Sequence, residues 1–194
     1  ILREIVFFSG NEGKITEIKN KFQNKQIKIL SLKNFDNYTE PLENGLTFRD
    51  NAKIKSSYGY NKFNIPCFAD DSGICIEALG NLPGVKSKDF LNSFKNNISC
   101  FEYIINEVKN KNNNSAFFKS VICLTLTNNK NIFFEGIING RISDNIIGNE
   151  GFGFDPIFIP DGHNKTFGQM KINIKNKISH RGIALGHLVN YFFN

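Results

Sequence analysis

The stretch that decides the fold is Glu4-Ile-Val-Phe-Phe-Ser-Gly-Asn-Glu-Gly-Lys14. Its apolar half predicts a buried strand over Glu4–Ser9, and apolar residues at helical spacing predict a helix over Lys14–Phe22. The loop between them directs backbone N–H groups and a helix N-terminus outward, which is a natural seat for phosphate. An ordinary strand–helix turn is the alternative, and the loop alone does not decide between the two.

A P-loop NTPase is disfavoured by the same stretch. The Walker A pattern requires Gly where Phe8 stands and Ser or Thr where Ile15 stands.

Strand and helix patterns alternate along the rest of the chain and then give way to an antiparallel pair. The expected elements are a strand at Ile27–Leu32, a helix at Phe48–Tyr60 begun by the capping box Thr47/Asp50, a strand at Pro66–Ala69 with Ile74–Ala78 as its return partner, a helix at Ile98–Lys109, a hairpin of Phe117–Thr127 and Asn131–Ile142 joined by Asn128–Lys130, and a last helix begun by Ser179. We therefore predict one α/β domain over residues 1–194 with a mixed sheet and flanking helices.

Composition and charge exclude several classes of protein. The chain has 194 residues, 40% hydrophobic and 22% charged, which excludes wholesale disorder and collagen-like architecture. No apolar run approaches the roughly 20 residues that cross a bilayer. The net charge is +6, but only four of the 24 basic residues are arginines and the lysines are scattered, so most are interpreted as solvated surface.

The cysteines are Cys67, Cys75, Cys100 and Cys123. None forms a C-x-x-C pair, so we expect buried, reduced thiols in a cytoplasmic protein and no structural zinc.

Two adjacent carboxylates occur in Asp70–Asp71–Ser72–Gly73, directly after the predicted strand. Adjacent side chains of a strand point to opposite faces, so one carboxylate can enter a cleft while its neighbour bonds a backbone group or a lysine. With Glu43 elsewhere, they suit Mg²⁺, which prefers a few carboxylates plus water and substrate phosphates. An Asx turn capping the strand is the alternative.

Glycine and phenylalanine alternate in Gly151-Phe-Gly-Phe-Asp-Pro-Ile-Phe158. This pattern builds a strand poorly but allows two rings to flank a planar ligand with the backbone close by. A core or turn role is the alternative, because the chain holds 20 phenylalanines.

In Ile178-Ser-His-Arg-Gly182, Ser179 is a good N-cap, yet His180 and Arg181 then occupy the first helical turn. Positive charge there opposes the helix dipole. We interpret the two side chains as donors to a ligand at that helix end; an exposed turn that tolerates the mismatch is the alternative.

Together these features supply a phosphate loop, a carboxylate metal site, an aromatic slot and a donor pair. A protein that binds a nucleoside triphosphate needs all four. Two rival classes remain. A nucleic-acid-binding module would explain the basic charge but not the paired carboxylates. An α/β phosphohydrolase that acts on pyrimidine nucleotides would explain the phosphate loop and the paired carboxylates. It would not explain Phe152–Asp155 or the His180–Arg181 pair.

The sequence resembles the inosine triphosphate pyrophosphatases, the non-standard purine NTP pyrophosphatases. The resemblance runs from about Glu4 to Phe193 and rests on six motifs in order. They are Ser9-Gly-Asn-x-Gly-Lys14, Glu43-x-Gly-x-Thr-Phe48, Asp70-Asp-Ser-Gly73, Leu82-Pro-Gly84, Phe152-Gly-Phe-Asp-Pro156 and Ile178-Ser-His-Arg181.

This resemblance implies a fold of two lobes on an elongated mixed sheet around a central substrate cleft, and a homodimer. It implies hydrolysis of ITP, dITP and XTP to the monophosphate and pyrophosphate with Mg²⁺, or Mn²⁺ in its place. The partner is then a purine nucleotide, with neither nucleic acid nor membrane involved.

The resemblance also implies roles for individual residues. Asp71 would be catalytic, and Glu43 and Asp71 would hold the metal. The phosphates would be bound by Ser9, Gly10, Asn11, Glu12, Gly13, Lys14 and Lys55. Ser72 would also contact the substrate. The residues around the base would be Phe152, Gly153, Phe154, Asp155, Lys175, His180 and Arg181.

The chain departs from the family pattern at Lys86, Asp89 and Ile174. At the metal, Asp36 and Glu40 are alternatives to Glu43 because they lie close to it in the sequence.

Overall fold

The computed structural model describes residues 4–23, 25–36, 38–128 and 130–193. The strands are β1 (Glu4–Phe7), β2 (Lys28–Ser31), β3 (Cys67–Ile76), β4 (Leu82–Pro83), β5 (Ser115–Thr127), β6 (Lys130–Ile142) and β7 (Phe158–Pro160). The helices are α1 (Glu12–Phe22), α2 (Phe48–Phe63), α3 (Ser87–Asn92), α4 (Asn97–Asn110), α5 (Ile172–Ile178) and α6 (His180–Phe193).

The strands form a mixed sheet in the order β2-β1-β3-β5-β6-β7, and β4 pairs with β3. The pairs β1–β2 and β1–β3 are parallel, whereas β3–β4 and β6–β7 are antiparallel. The prediction of an α/β fold with a mixed sheet is confirmed.

The chain divides into two compact units, each built from separate segments. Unit 1 comprises residues 1–71, 120–135 and 184–194, and unit 2 comprises residues 72–119 and 136–183. The chain passes from unit 1 to unit 2 between Asp71 and Ser72, which are consecutive residues of β3.

Each unit has its own apolar core. Unit 1 has two clusters, one around Ile5, Phe7, Phe68 and Leu188, the other around Phe8 and Cys67. Unit 2 has one cluster, which includes Ile104, Phe118, Phe158 and Phe167. Burial of large apolar side chains is the main term that stabilises each unit.

Side-chain caps fix the starts of the helices that matter most for the site. Thr47 Oγ1 accepts from the N–H of Asp50 at 3.1 Å, and the Asp50 carboxylate accepts from the N–H of Thr47 at 3.1 Å, so the capping box is confirmed. Asn11 Oδ1 accepts from the N–H of Lys14 at 3.1 Å. Because Asn11 is the N-cap, α1 begins at Glu12 rather than at the predicted Lys14.

The predicted break at Asp70–Gly73 is wrong. β3 runs without interruption from Cys67 to Ile76 as an interior strand, so Ile74–Ala78 is not a return partner. The strand that returns is β4, with Pro83 opposite Cys75. Within the strand, both carboxylates have cationic neighbours. Lys14 Nζ lies 3.0 Å from Asp70 Oδ2.

Several further predictions are confirmed within small shifts of their ends. They include the helix at 97–110 and the two long strands β5 and β6; Asn129, in the predicted hairpin turn, lies outside the described residues. All four cysteines carry free, buried thiols. Among the described residues, no helix is long and apolar enough to span a membrane.

Candidate functional site

The loop after β1 presents its backbone at the surface. Gly10, Asn11 and Glu12 are exposed, and Ser9 Oγ accepts from the N–H of Asn11 at 3.2 Å. The Glu12 carboxylate pairs with Lys33 Nζ at 2.7 Å on the exposed side of α1. The loop and the first turn of α1 thus leave N–H groups and a helix dipole available to an anion.

A set of charged side chains lies beside this loop in unit 1, and we call it the lysine–carboxylate cluster. Its members are Lys14, Glu43, Lys55, Asp70 and Asp71. Lys55 Nζ lies 2.7 Å from Glu43 Oε2 and 3.9 Å from Asp71 Oδ1. Asp70 and Asp71 are 1% and 7% exposed, so these charges are held where water screens them little.

Opposing effects set the pKa values in this cluster. Burial alone would lower the pKa of Lys55, but the charges of Asp71, Asp70 and Glu43 outweigh it, so the pKa is raised above 10.5. Lys55 therefore stays positive across the neutral range. Burial raises the pKa of Asp71 above its ordinary 3.8, against the opposing effects of Lys55 and of a hydrogen bond from Asn51. Asp71 is thus a better proton acceptor than a solvated aspartate.

The donor set fits a hard divalent cation. Glu43 and Asp71 both lie beside the same ammonium group, so their oxygens are already grouped around one positive charge. Within the described ranges, no three or more His, Cys, Asp or Glu side chains form a complete metal cage. Mg²⁺ suits such a partial set, because it keeps waters and binds substrate phosphates.

Of the three acidic residues considered for the metal with Asp71, Glu43 is the one that the structure brings to Lys55. Glu40 lies instead near Gly10, where an added Cβ would come 3.0 Å from its Oε1. Asp36 is exposed.

A second set of polar side chains lies in unit 2, and we call it the buried donor cluster. Its members are Asp155, Lys175, His180 and Arg181, which are 2–4% exposed. Lys175 Nζ donates to Asp155 Oδ2 at 2.7 Å, and the same oxygen accepts from the N–H of Phe152 at 2.8 Å. Gly151 has φ +74°, and an added Cβ would meet Asp155 Oδ2, so this turn requires glycine.

The rings of Phe152 and Phe154 have different surroundings. Phe154 is 4% exposed and packs in the unit 2 core, with its ring centroid 6.1 Å from that of Phe101. Phe152 is half-buried, and Lys175 Nζ lies 4.7 Å from its ring centroid. The core role, which was the alternative for this motif, therefore applies to Phe154, and only Phe152 presents a ring that a planar ligand can reach.

His180 and Arg181 are the first two residues of α6, as the sequence predicts, and Ser179 Oγ accepts from the N–H of Gly182 at 3.1 Å as the N-cap. The His180 ring stacks on Phe118 at 4.6 Å with 8° between the planes. Arg181 Nη2 donates to Ser72 Oγ at 2.7 Å. Aromatic stacking and the hydrogen bond fix both donors in place.

Sequence reasoning missed one buried polar residue of the site, Asn51. Its Nδ2 donates to Asp71 Oδ2 at 3.1 Å. The signal was available, because Asn51 precedes Lys55 by four residues and therefore lies on the same face of α2. The departures from the family pattern, Lys86, Asp89 and Ile174, are all exposed.

These features define a class of mixed α/β proteins. One unit of this chain carries a phosphate-type loop and paired carboxylates, and the other carries a buried donor cluster. The Ham1 family model matches residues 5–191. Over 191 residues the chain is 41% identical to the dITP/XTP pyrophosphatase of Flavobacterium psychrophilum, which covers 98% of this chain and 100% of the relative.

Other relatives and a solved structure agree. The chain is 38% identical over 188 residues to the dITP/XTP pyrophosphatase of Acholeplasma laidlawii, covering 96% of this chain and 92% of the relative. It is similar to the structure of a HAM1 protein from Coxiella burnetii, with a TM-score of 0.90, 31% identity, and coverage of 100% and 99% of the two chains. The chain belongs to the Ham1 family, and the resemblance found in its motifs is confirmed.

Proposed function

We propose that this protein is a nucleoside triphosphate pyrophosphatase that converts non-standard purine nucleotides (ITP, dITP and XTP) to the monophosphate and pyrophosphate. The observation that carries the proposal is the Asp71 carboxylate, buried beside Lys55 and held by a hydrogen bond from Asn51. The dITP/XTP pyrophosphatase names of the relatives support the same reaction.

The reaction follows from what each group can do. The N–H groups of the Ser9–Lys14 loop, with Lys14 and Lys55, bind and neutralise the triphosphate. Asp71 orients a water molecule and accepts its proton while the water oxygen attacks the α-phosphorus. The bond between the α-phosphorus and the bridging oxygen breaks, and pyrophosphate leaves with that oxygen.

Glu43 and Asp71 are the residues that would hold Mg²⁺, with Mn²⁺ as a substitute. When bound, the ion supplies charge neutralisation and orientation of the phosphate oxygens.

The buried donor cluster accounts for the choice of base. Hypoxanthine and xanthine carry a carbonyl at the 6-position, which accepts hydrogen bonds from donors such as His180 and Arg181. Adenine presents an amino group there, so donor would face donor and a buried polar group would lose its partner. Such a mismatch gives discrimination of about 10²-fold or more. Phe152 offers the base a ring to stack on, and the environment near Phe152–Asp155 would have to reject the 2-amino group of guanine.

The decisive experiment locates the bond that breaks. Purified protein with Mg²⁺ is incubated with ITP in ¹⁸O-labelled water. The products are separated by chromatography, and the ¹⁸O content of each is measured by mass spectrometry. IMP that carries the label, together with unlabelled pyrophosphate, supports attack at the α-phosphorus. IDP with orthophosphate, or label in pyrophosphate, would contradict the proposal. A panel that includes pyrimidine triphosphates tests the pyrimidine-directed alternative.

We also propose a cytoplasmic homodimer. Four buried free thiols support a reducing compartment. Exposed apolar side chains in unit 2, among them Leu82 (60%) and Ile98 (57%), support a protein partner surface. Light scattering coupled to gel filtration measures the mass directly.

A further inference from the structure

Asn51 makes hydrogen bonds in two directions from the first turn of α2. It is 3% exposed, its Nδ2 donates to Asp71 Oδ2 at 3.1 Å, and its Oδ1 accepts from the N–H of Gly45 at 2.8 Å. One side-chain amide therefore joins the carboxylate of β3 to the segment Leu42–Leu46 that precedes the helix.

That segment approaches the start of α2 so closely that only glycine fits at position 45. An added Cβ would lie 2.6 Å from Asn51 Oδ1 and 2.6 Å from the Cβ of Asp50. Glu43 belongs to the same segment and pairs with Lys55 at 2.7 Å. The position of Glu43 is thus tied to the contact between Gly45 and Asn51.

The orientation of the Asn51 amide is fixed by chemistry. A backbone N–H can only donate, so the amide oxygen must face Gly45 and the NH₂ group must face Asp71. Only asparagine offers both functions at this length. An aspartate would keep the bond to Gly45 but would place a second carboxylate against Asp71.

We propose that Asn51 is a positioning residue for the hydrolytic step: it holds Asp71 Oδ2, leaves Oδ1 on the side of Lys55, and couples both to the segment that bears Glu43. This inference rests on the proposed function, because it assigns Asp71 the work of orienting water. Asn51 itself need not contact the substrate.

The variant Asn51→Asp tests the Asp71 side of this amide. We expect kcat for ITP to fall about 10–100-fold, the usual effect of losing a group that orients a catalytic ligand. The KM should change by less than about threefold, because the loop that binds the phosphates is untouched. The matched control is Asn61→Asp, which makes the same chemical change at an exposed position of the same helix and should leave both constants unaltered.

A second measurement tests the Asn51–Asp71 hydrogen bond directly and does not need the Asn51→Asp protein. Nuclear magnetic resonance of the ¹⁵N-labelled protein follows the Asn51 side-chain NH₂ in the wild type and in Asp71→Asn. Loss of the carboxylate acceptor should shift this resonance and speed its exchange with water, whereas the Asn61 resonance should not move.

The outcomes distinguish the two claims. If the wild type does not hydrolyse ITP, the proposed function fails. If the wild type is active and a folded Asn51→Asp protein keeps its full kcat, the positioning role is overturned. It is also overturned if the Asn51 side-chain resonance is the same in the wild type and in Asp71→Asn. A loss of kcat in Asn51→Asp that only parallels a loss of folded protein by circular dichroism would also overturn it.

Discussion

The two polar clusters are both built from charged side chains, yet they meet solvent differently. In the lysine–carboxylate cluster, exposure is uneven: the Glu43 side chain is 39% exposed, those of Lys14, Lys55 and Asp71 are 10–15% exposed, and that of Asp70 is fully buried. In the buried donor cluster, the Asp155 and Lys175 side chains are each 3% exposed. In the proposed function, a cluster that binds and releases a highly charged triphosphate needs at least one member, here Glu43, that water reaches. A group that reads a neutral base can be buried and fixed beforehand.

The largest loss of activity should come from a change in the lysine–carboxylate cluster. Asp71→Asn should lower kcat for ITP by on the order of 10²–10⁴, because it removes the proton acceptor and the metal ligand of the proposed mechanism while keeping the shape of the side chain. Steady-state assays with Mg²⁺ measure this, and EDTA should abolish the wild-type activity until Mg²⁺ is restored. Asp36→Asn is the matched control and should retain activity. A fully active, folded Asp71→Asn protein would remove Asp71 from the mechanism.

A change in the buried donor cluster should lower the stability of the folded protein. Lys175→Met leaves the Asp155 carboxylate in the interior without its 2.7 Å partner, which should cost about 3–5 kcal/mol in the free energy of unfolding. Lys28→Met, which breaks an exposed pair with Glu4, should cost less than about 1 kcal/mol. Urea unfolding followed by circular dichroism suits a chain with no tryptophan. Equal losses in the two variants would mean that burial does not distinguish the pairs.

Arg181→Ala tests whether the same cluster reads the base. It should lower kcat/KM for ITP far more than for ATP. We expect the ratio of kcat/KM for ITP to kcat/KM for ATP to be about 10² in the wild type and smaller in the variant. The measurement is a pair of competition assays with both nucleotides. An equal loss for both would make Arg181 a phosphate-binding or structural residue and leave the pyrophosphatase proposal standing.

The smallest effect concerns the four buried thiols, which the proposed mechanism does not use. Burial raises the pKa of Cys100 to about 11 and raises that of the other three cysteines, so each holds less thiolate at pH 8 than a free cysteine does. Alkylation of the native protein should be at least about tenfold slower than that of the unfolded chain. Two cysteines lie in each unit, so peptide mapping at rising urea reports which unit opens first. Rapid native alkylation would contradict the burial.

The sequence predicted helices better than the central strand for a physical reason. The cap of α2 involves Thr47 and Asp50, three residues apart, and such local contacts can be inferred from spacing. β3 continues through Asp70, whose carboxylate pairs with Lys14, 56 positions away in the chain, and no local pattern reveals that partner.

The sequence supplied the residue types of the candidate site but not the surroundings of each side chain. Alternation with glycine could not tell Phe152 from Phe154, because only packing against Phe101 places the second ring in the core. Helical spacing places Asn51 on the same face of α2 as Lys55, but spacing alone does not single out one asparagine in an asparagine-rich chain. Its hydrogen bonds to Asp71 and Gly45 do.

The division of unit 1 into three segments has a consequence for synthesis on the ribosome. Its core joins Ile5 and Phe7 to Leu185 and Leu188, nearly the full length of the chain apart. The first strand therefore leaves the exit tunnel long before its packing partners exist. Unit 2 ends at Ile183 and can bury its own core earlier. The apolar face of the first segment therefore stays uncovered until the last helix emerges, which exposes it to aggregation during translation.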